Sequence, residues 1–300
     1  MTAFADSARM LVQAGLELGE GARWLGDRWV VVDILDGALY EVSEGPGASL
    51  TPLLRTGGEP LGAVAPLRDR PGHWIAAVGE GVAVLGPDGT ADWLARPEAG
   101  KSVRCRMNDG AADPVGRFWA GSMAYDGTPG AGSLYRVDPD GTVVTALTGV
   151  TVANGPAFSP DGTRLYLADS ARGVVSAYPL DPRTGALGAP EPLIRLDGAS
   201  PDGMTVDDEG FLWTAIWGES RVLRVSPYGE IDRVVRLPCR QPSSVAIGGQ
   251  DGTRLLVTSA RYGLDDPAPA DGALWTCDAR VTAPPARAAV LSRYPTSPAR

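Results

Sequence analysis

Six short runs rich in β-branched, aromatic and small apolar residues recur along this chain: Arg28–Asp33 (RWVVVD), His73–Val78 (HWIAAV), Arg117–Ser122 (RFWAGS), Arg164–Asp169 (RLYLAD), Phe211–Ile216 (FLWTAI) and Arg254–Ser259 (RLLVTS). A Gly-containing turn precedes each run, and ahead of each turn another short strand opens near Gly21, Gly62, Gly110, Gly155, Gly203 and Ser244. Those openings lie 41, 48, 45, 48 and 41 residues apart. Further strands follow the runs, among them GALYEV, GSLYRV, VVSAYP, RVLRVS and GALWTC, and a fourth edge segment completes each unit. A repeat of roughly 40 to 50 residues with four strands cannot bury its own faces and must do so against its neighbours. The pattern therefore predicts an all-β fold, a six-bladed β-propeller with four-stranded blades around a central channel.

Composition agrees. With 39 Gly and 26 Pro among 300 residues, turn formers exceed one in five, which disfavours a helical bundle. A β-sandwich rarely needs so many evenly spaced strands, and a β/α repeat would show helical periodicity between them. Six units occupy residues 1–300 as one domain. The N-terminal segment Arg9–Gln13 (RMLVQ) is expected to pair with the last blade, because an open ring leaves exposed strand edges.

Charge and rare residues exclude several functions. The 27 basic and 36 acidic side chains leave a formal charge of −9, with Lys101 the only lysine, so neither nucleic acid nor an anionic membrane surface is an expected partner. Cys105, Cys239 and Cys277 form no CxxC pair and are odd in number, which points to a reducing, cytoplasmic setting. No apolar run approaches the ~18 residues that span a bilayer, and no secretory signal is evident. The single histidine, His73, excludes two-His metal sites and fits an edge or packing position at the start of its strand.

In a propeller, residues just ahead of the six inner-strand openings come from distant sequence yet meet at one channel mouth. Those positions read Glu20, Leu61, Asn108 with Asp109, Asn154, Asp202 and Ser243. PDG occurs at 87–89, 139–141, 160–162 and 201–203; the first three copies fall where hairpin tips are expected, whereas Pro201-Asp202-Gly203 opens an inner strand. Its carboxylate is thus expected to face the channel together with Glu20 and Asn154. Carboxylates and amide oxygens without His or Cys form a hard oxygen set suited to Ca²⁺, Mg²⁺ or Mn²⁺.

The segments LGEGARW…VVVDIL, RMNDGAADPVGRFWAGSM, VANGPAFSPDGTRLYLADS and SPDGMTVDDEGFLW, in this order and phase, resemble the gluconolactonase and regucalcin (senescence marker protein) family of sugar-lactone hydrolases over nearly the whole chain. That resemblance implies a six-bladed propeller. It also implies that Glu20, Asn154 and Asp202 hold one divalent metal ion, with Ca²⁺ foremost and Zn²⁺, Mn²⁺, Fe²⁺ or Mg²⁺ as alternatives. Arg106, which otherwise reads as an ordinary surface arginine, and Asn108 occupy substrate-contacting positions. Asp126, beside Tyr125, stands where the family often carries a Glu that holds sugar hydroxyls.

By the same resemblance, the substrate is a small sugar lactone, and Asp202 is a metal ligand and the general base. A water activated by the cation is an equal alternative as the origin of the nucleophile. Water addition to a lactone carbonyl develops an oxyanion, which a divalent cation stabilises as a Lewis acid. Two other readings remain at this point: an organophosphate or ester hydrolase on the same metal site, and a non-catalytic binding or scaffold propeller with a structural cation. The sequence says nothing of the oligomeric state.

Overall fold

The computed structural model describes residues 4–292, and they form a ring of six sheets. The inner strands of blades 1 to 6 are Gly19–Trp24, Leu61–Pro66, Cys105–Ala112, Ala153–Phe158, Ser200–Val206 and Pro242–Gly248. Each pairs antiparallel with the strand that follows it, and blades 1 to 5 continue outward in chain order to a fourth strand. The expected six-bladed propeller is thus the observed architecture. The only helical element among the described residues is a 3₁₀ turn at Ser170–Arg172, so none is long and apolar enough to cross a membrane.

Packing explains why the units need each other. The buried apolar residues fall into six clusters, and each lies between two adjacent blades. Val30 and Leu39 of blade 1 meet Trp74 and Leu85 of blade 2, and Leu256 and Leu274 of blade 6 meet Trp29 and Val31 of blade 1. The second strands feed these interfaces from both faces, which is why they read as nearly continuous apolar runs rather than alternating ones.

The ring closes through its N-terminus. Arg9–Val12 pairs antiparallel with Leu274–Asp278 and supplies the outer strand of blade 6, as the RMLVQ segment suggested. Phe4–Ser7 adds a fifth strand to blade 5, parallel to Ile231–Arg236, an addition that the repeat spacing does not predict. The C-terminal stretch was also given no role by its sequence. It crosses the end of the ring where the inner strands finish, with Ala286 N–H donating to Trp24 O (2.7 Å), Ala289 N–H to Pro66 O (2.8 Å) and Val290 N–H to Gly116 O (2.9 Å).

Two blades use the same internal brace. Asp113 accepts the amides of Val115 and Arg117 on one oxygen and the Trp119 indole on the other (3.1 Å). Asp207 accepts the amides of Glu209 and Phe211, the Trp213 indole (2.8 Å) and Arg224 Nε (2.9 Å). Both carboxylates are fully buried and both indoles enter inter-blade clusters, so each Asp fixes a hairpin tip and a core tryptophan together. By contrast, Asp88, Asp140 and Asp161 of the three hairpin PDG copies cap exposed turns through the amides of Thr90, Thr142 and Thr163, as expected.

This contrast sets a stability prediction. Asp207→Ala orphans a buried indole, two amides and part of Arg224, and should cost about 3 kcal/mol in denaturant unfolding. Asp161→Ala, at an exposed turn, should cost less than about 1 kcal/mol. Equal costs would contradict the brace.

Candidate functional site in the propeller channel

All six inner strands shift register at the same place, so that one extra residue stands against the second strand: Glu20 to Arg23, Leu61 to Ala63, Met107 to Gly110, Asn154 to Ala157, Pro201 to Met204 and Pro242 to Val245. A bulge bends the strand and re-aims side chains. It also moves the strand starts: the openings read from the spacing fall inside the inner strands, one to five residues past their first residue. Gly203 shows why a small residue is needed there, because a Cβ would come within 2.6–2.8 Å of Ser244 on the next inner strand.

The bulges bring Glu20, Asn108, Asp109, Asn154 and Asp202 into one neighbourhood, each at least 95 % buried. A hydrogen-bond chain links two of them, Asn108 and Asn154, to Arg106, Ser170 and the backbone of Pro201. Arg106 Nη1 donates to Asn108 Oδ1 (2.7 Å), Asn108 Nδ2 to Asn154 Oδ1 (2.8 Å), Asn154 Nδ2 to Ser170 Oγ (2.8 Å), and Ser170 Oγ to the carbonyl of Pro201 (2.6 Å). Blades 3, 4 and 5 are thereby tied at the residue that precedes Asp202. The 3₁₀ turn after the second strand of blade 4 positions Ser170 for this junction.

Electrostatics follow from burial. Desolvation, and then the charge of Asp109, push the Glu20 carboxyl up to about 8. Burial raises Asp202 well above the usual carboxylate range, reinforced by Glu20 and Asp109, and the Glu20 and Asp202 carboxyls lie within hydrogen-bonding reach of each other. Asp88, Asp140 and Asp161 are instead held low, chiefly by the turn hydrogen bonds from Thr90, from Thr142, and from Ser159 with Thr163. The same tripeptide therefore has opposite electrostatics in its two phases.

Arg106 corrects the surface reading: only 8 % of it is exposed, and it bonds to Met107 O (2.9 Å) and Asn108. Burial lowers its pKa, against the opposing influence of Tyr125, Glu20, Tyr262 and Asp202. Asp126 lies apart from this cluster. It is exposed on the loop after Phe118–Ala124 and accepts the Thr128 amide (2.9 Å) and hydroxyl (2.6 Å), at the same end of blade 3 as Arg106, which pairs with Met123. Ser243 and Ser244 are structural: Ser243 Oγ donates to Gly19 O, and Ser244 Oγ accepts the Ala22 amide (3.2 Å). His73 is half-buried, with Nδ1 3.3 Å from Pro71 O.

The sequence reading missed Arg23. It is about nine-tenths buried and donates to Asp109 Oδ1 (3.0 Å), Gly110 O (2.8 Å) and Ala22 O (2.7 Å). Its signal was visible: past the bulge, it is the one charged residue in any inner strand. Beyond it, toward the C-terminal stretch, lies a cavity of about 100 Å³ lined by Arg23, Trp24, Phe158, Met204, Pro284 and Pro285.

The donor set fits a hard divalent cation. Glu20 and Asp202 are buried against one another without a paired base, whereas Asp109 is satisfied by Arg23 and by the amides of Gly110 and Gly155. Among the described residues no group of three His, Cys, Asp or Glu side chains is spaced to hold a metal, and the Asn154 amide oxygen accepts from Asn108 Nδ2 (2.8 Å).

Comparison with known proteins places this geometry. A family model described as the SMP-30/Gluconolactonase/LRE-like region matches residues 18–261. The chain is 36% identical over 262 residues to a 6-deoxy-6-sulfogluconolactonase of Pseudomonas putida, covering 85% of this chain and 88% of that protein. It is 35% identical over 290 residues to a pentonolactonase of Haloferax volcanii, covering 92% and 95%. Among solved structures, the calcium-binding protein regucalcin of Agrobacterium tumefaciens superposes with a TM-score of 0.84 at 29% identity, covering 97% of this chain and all of that one. With the family region spanning all six inner strands, this chain belongs to the SMP-30/gluconolactonase/LRE-like family.

Proposed function

We propose that this protein is a hydrolase of cyclic esters that opens a sugar lactone to its aldonic acid, using one divalent cation, Ca²⁺ foremost, held by Glu20, Asn154 and Asp202. The observation that carries the reading is the buried Glu20–Asp202 pair beside the Arg106–Asn108–Asn154 hydrogen-bond chain. The sugar-lactone activities named for two relatives support the substrate class, and the calcium-binding neighbour supports the cation.

Glu20, Asn154 and Asp202 would hold the cation, which when bound would supply Lewis-acid stabilisation of the oxyanion that develops as water adds to the lactone carbonyl. Asp202 Oδ takes the proton that the attacking water gives up. The endocyclic C–O bond then breaks, the ring oxygen leaves as a hydroxyl after taking a proton, and at neutral pH each turnover releases one proton with the aldonate. Arg106 and Asn108 hold ring hydroxyls, and their mutual hydrogen bond fixes both before substrate arrives, which lowers the cost of orientation. Asp126 supplies a further acceptor to the sugar from the exposed loop at that end of blade 3. The odd count of three cysteines with no CxxC spacing and the charge of −9 support a cytoplasmic enzyme with a small-molecule partner rather than nucleic acid or membrane.

The deciding assay follows proton release from a panel of aldonolactones after chelator treatment and separate return of Ca²⁺, Mn²⁺, Zn²⁺, Fe²⁺ and Mg²⁺. Activity should vanish on chelation and return with cation, and Asp202→Asn should lose at least about 10² in kcat. Full turnover by stripped protein or by Asp202→Asn would sink the mechanism; tight cation binding with no lactone opened would favour a scaffold. Arg106→Met should raise KM about tenfold with a smaller change in kcat, since it removes ground-state positioning; an unchanged KM would remove Arg106 from the substrate site.

A further inference from the structure

We infer that Arg23 is a positioning residue that sets the charge of the cation site, and through it the affinity of the Glu20–Asp202 pair for a divalent ion. The inference rests on the proposed cation reading and assigns a role to a side chain that touches neither cation nor substrate.

Geometry carries it. Glu20 pairs with Val32 and Arg23 with Val30, so the bulge brings Glu20 and Arg23, three residues apart, onto the same face of blade 1. A regular strand would put them on opposite faces. Arg23 spends its Nη groups on Asp109 Oδ1, Gly110 O and Ala22 O. Asp109 uses its other oxygen on the Gly155 amide (3.2 Å), so one ion pair joins blades 1, 3 and 4 immediately behind Asn108 and Asn154.

Charge gives the pair a second consequence. Glu20, Asp109 and Asp202 are three buried carboxylates that raise one another's energy when ionised. Arginine stays charged at any working pH, so Arg23 is a permanent counter-charge for one of the three. It leaves the other two for an exchangeable ion. Neutralising Arg23 makes the cluster more negative, which strengthens the attraction for a divalent cation; neutralising Asp109 while Arg23 remains does the reverse. In a buried site either change should move affinity by at least about tenfold. A role confined to bracing the blades gives a different pattern, in which every disruption loosens the site.

The test is a charge cycle on the chelator-stripped full chain, read by calorimetric titration with Ca²⁺ and Mn²⁺, with thermal melts to confirm folding. Wild type should bind one ion. Arg23→Met should bind it about tenfold or more tightly, Asp109→Asn about tenfold or more weakly, and the double variant within about threefold of wild type. Arg23→Lys should keep wild-type affinity. Should Arg23→Met not fold, Asp109→Asn and the double variant decide alone, because removing the stranded Arg23 charge must restore what Asp109→Asn loses. Weaker binding in Arg23→Met, or a double variant as weak as Asp109→Asn, overturns the inference. A wild type that binds no ion defeats the cation reading itself, whereas one ion in wild type without the charge-cycle signs defeats the role of Arg23 alone.

Discussion

A four-stranded blade with two apolar faces is stable only with another blade on each side, and everything else in this structure depends on that constraint. It makes the fold a closed ring, places one core cluster in every gap between blades, and obliges the N-terminal strand Arg9–Val12 to complete the sixth sheet. Closure has a chemical consequence too. Six inner strands forced around one axis crowd their backbones, and the crowding is relieved by small residues and by a bulge at the same level in each strand. The bulges turn polar side chains toward the axis, so the demand for a closed core also creates the site.

What the ring brings together is costly to hold. Carboxylates without water around them are unstable unless paired, and the channel contains both solutions: Asp109 is paired with Arg23, while Glu20 and Asp202 are left facing each other. Beside them a hydrogen-bond chain of amides and a hydroxyl runs from Arg106 to the Pro201 carbonyl and ties blades 3, 4 and 5 in fixed relation. An oxygen-rich, preformed site of this kind suits a hard cation and a hydroxyl-bearing ring, and the single histidine, His73, lies elsewhere, in the turn ahead of Trp74–Val78.

Much of this was legible in the sequence because repeats turn position into phase. The spacing of the RWVVVD-like runs gave the blade count, and the phase of PDG separated Asp202, buried in the channel, from Asp88, Asp140 and Asp161, which cap exposed turns. Less legible were features set by contacts between repeats. Arg106 reads as a surface residue until the bulge of blade 3 is known to turn it inward. Arg23 finds its partner 86 residues away, a pairing that spacing cannot express. The C-terminal stretch carries no strand pattern, since it crosses the blades by isolated backbone contacts: hydrogen bonds to Trp24 and Gly116 and one bridge at Leu67. Asp126 illustrates the converse: its alignment with the motif is clear, yet its carboxylate is bonded to its own turn.

Everything chemical in this channel depends on what sits between Glu20, Asn154 and Asp202. The most direct measurement is anomalous diffraction from crystals grown with Mn²⁺ after chelator stripping. One strong peak coordinated by the Glu20 and Asp202 carboxylates and the Asn154 amide oxygen, with Asp109 still on Arg23, is the expected result. A channel without a peak, or a peak bound elsewhere, would contradict it.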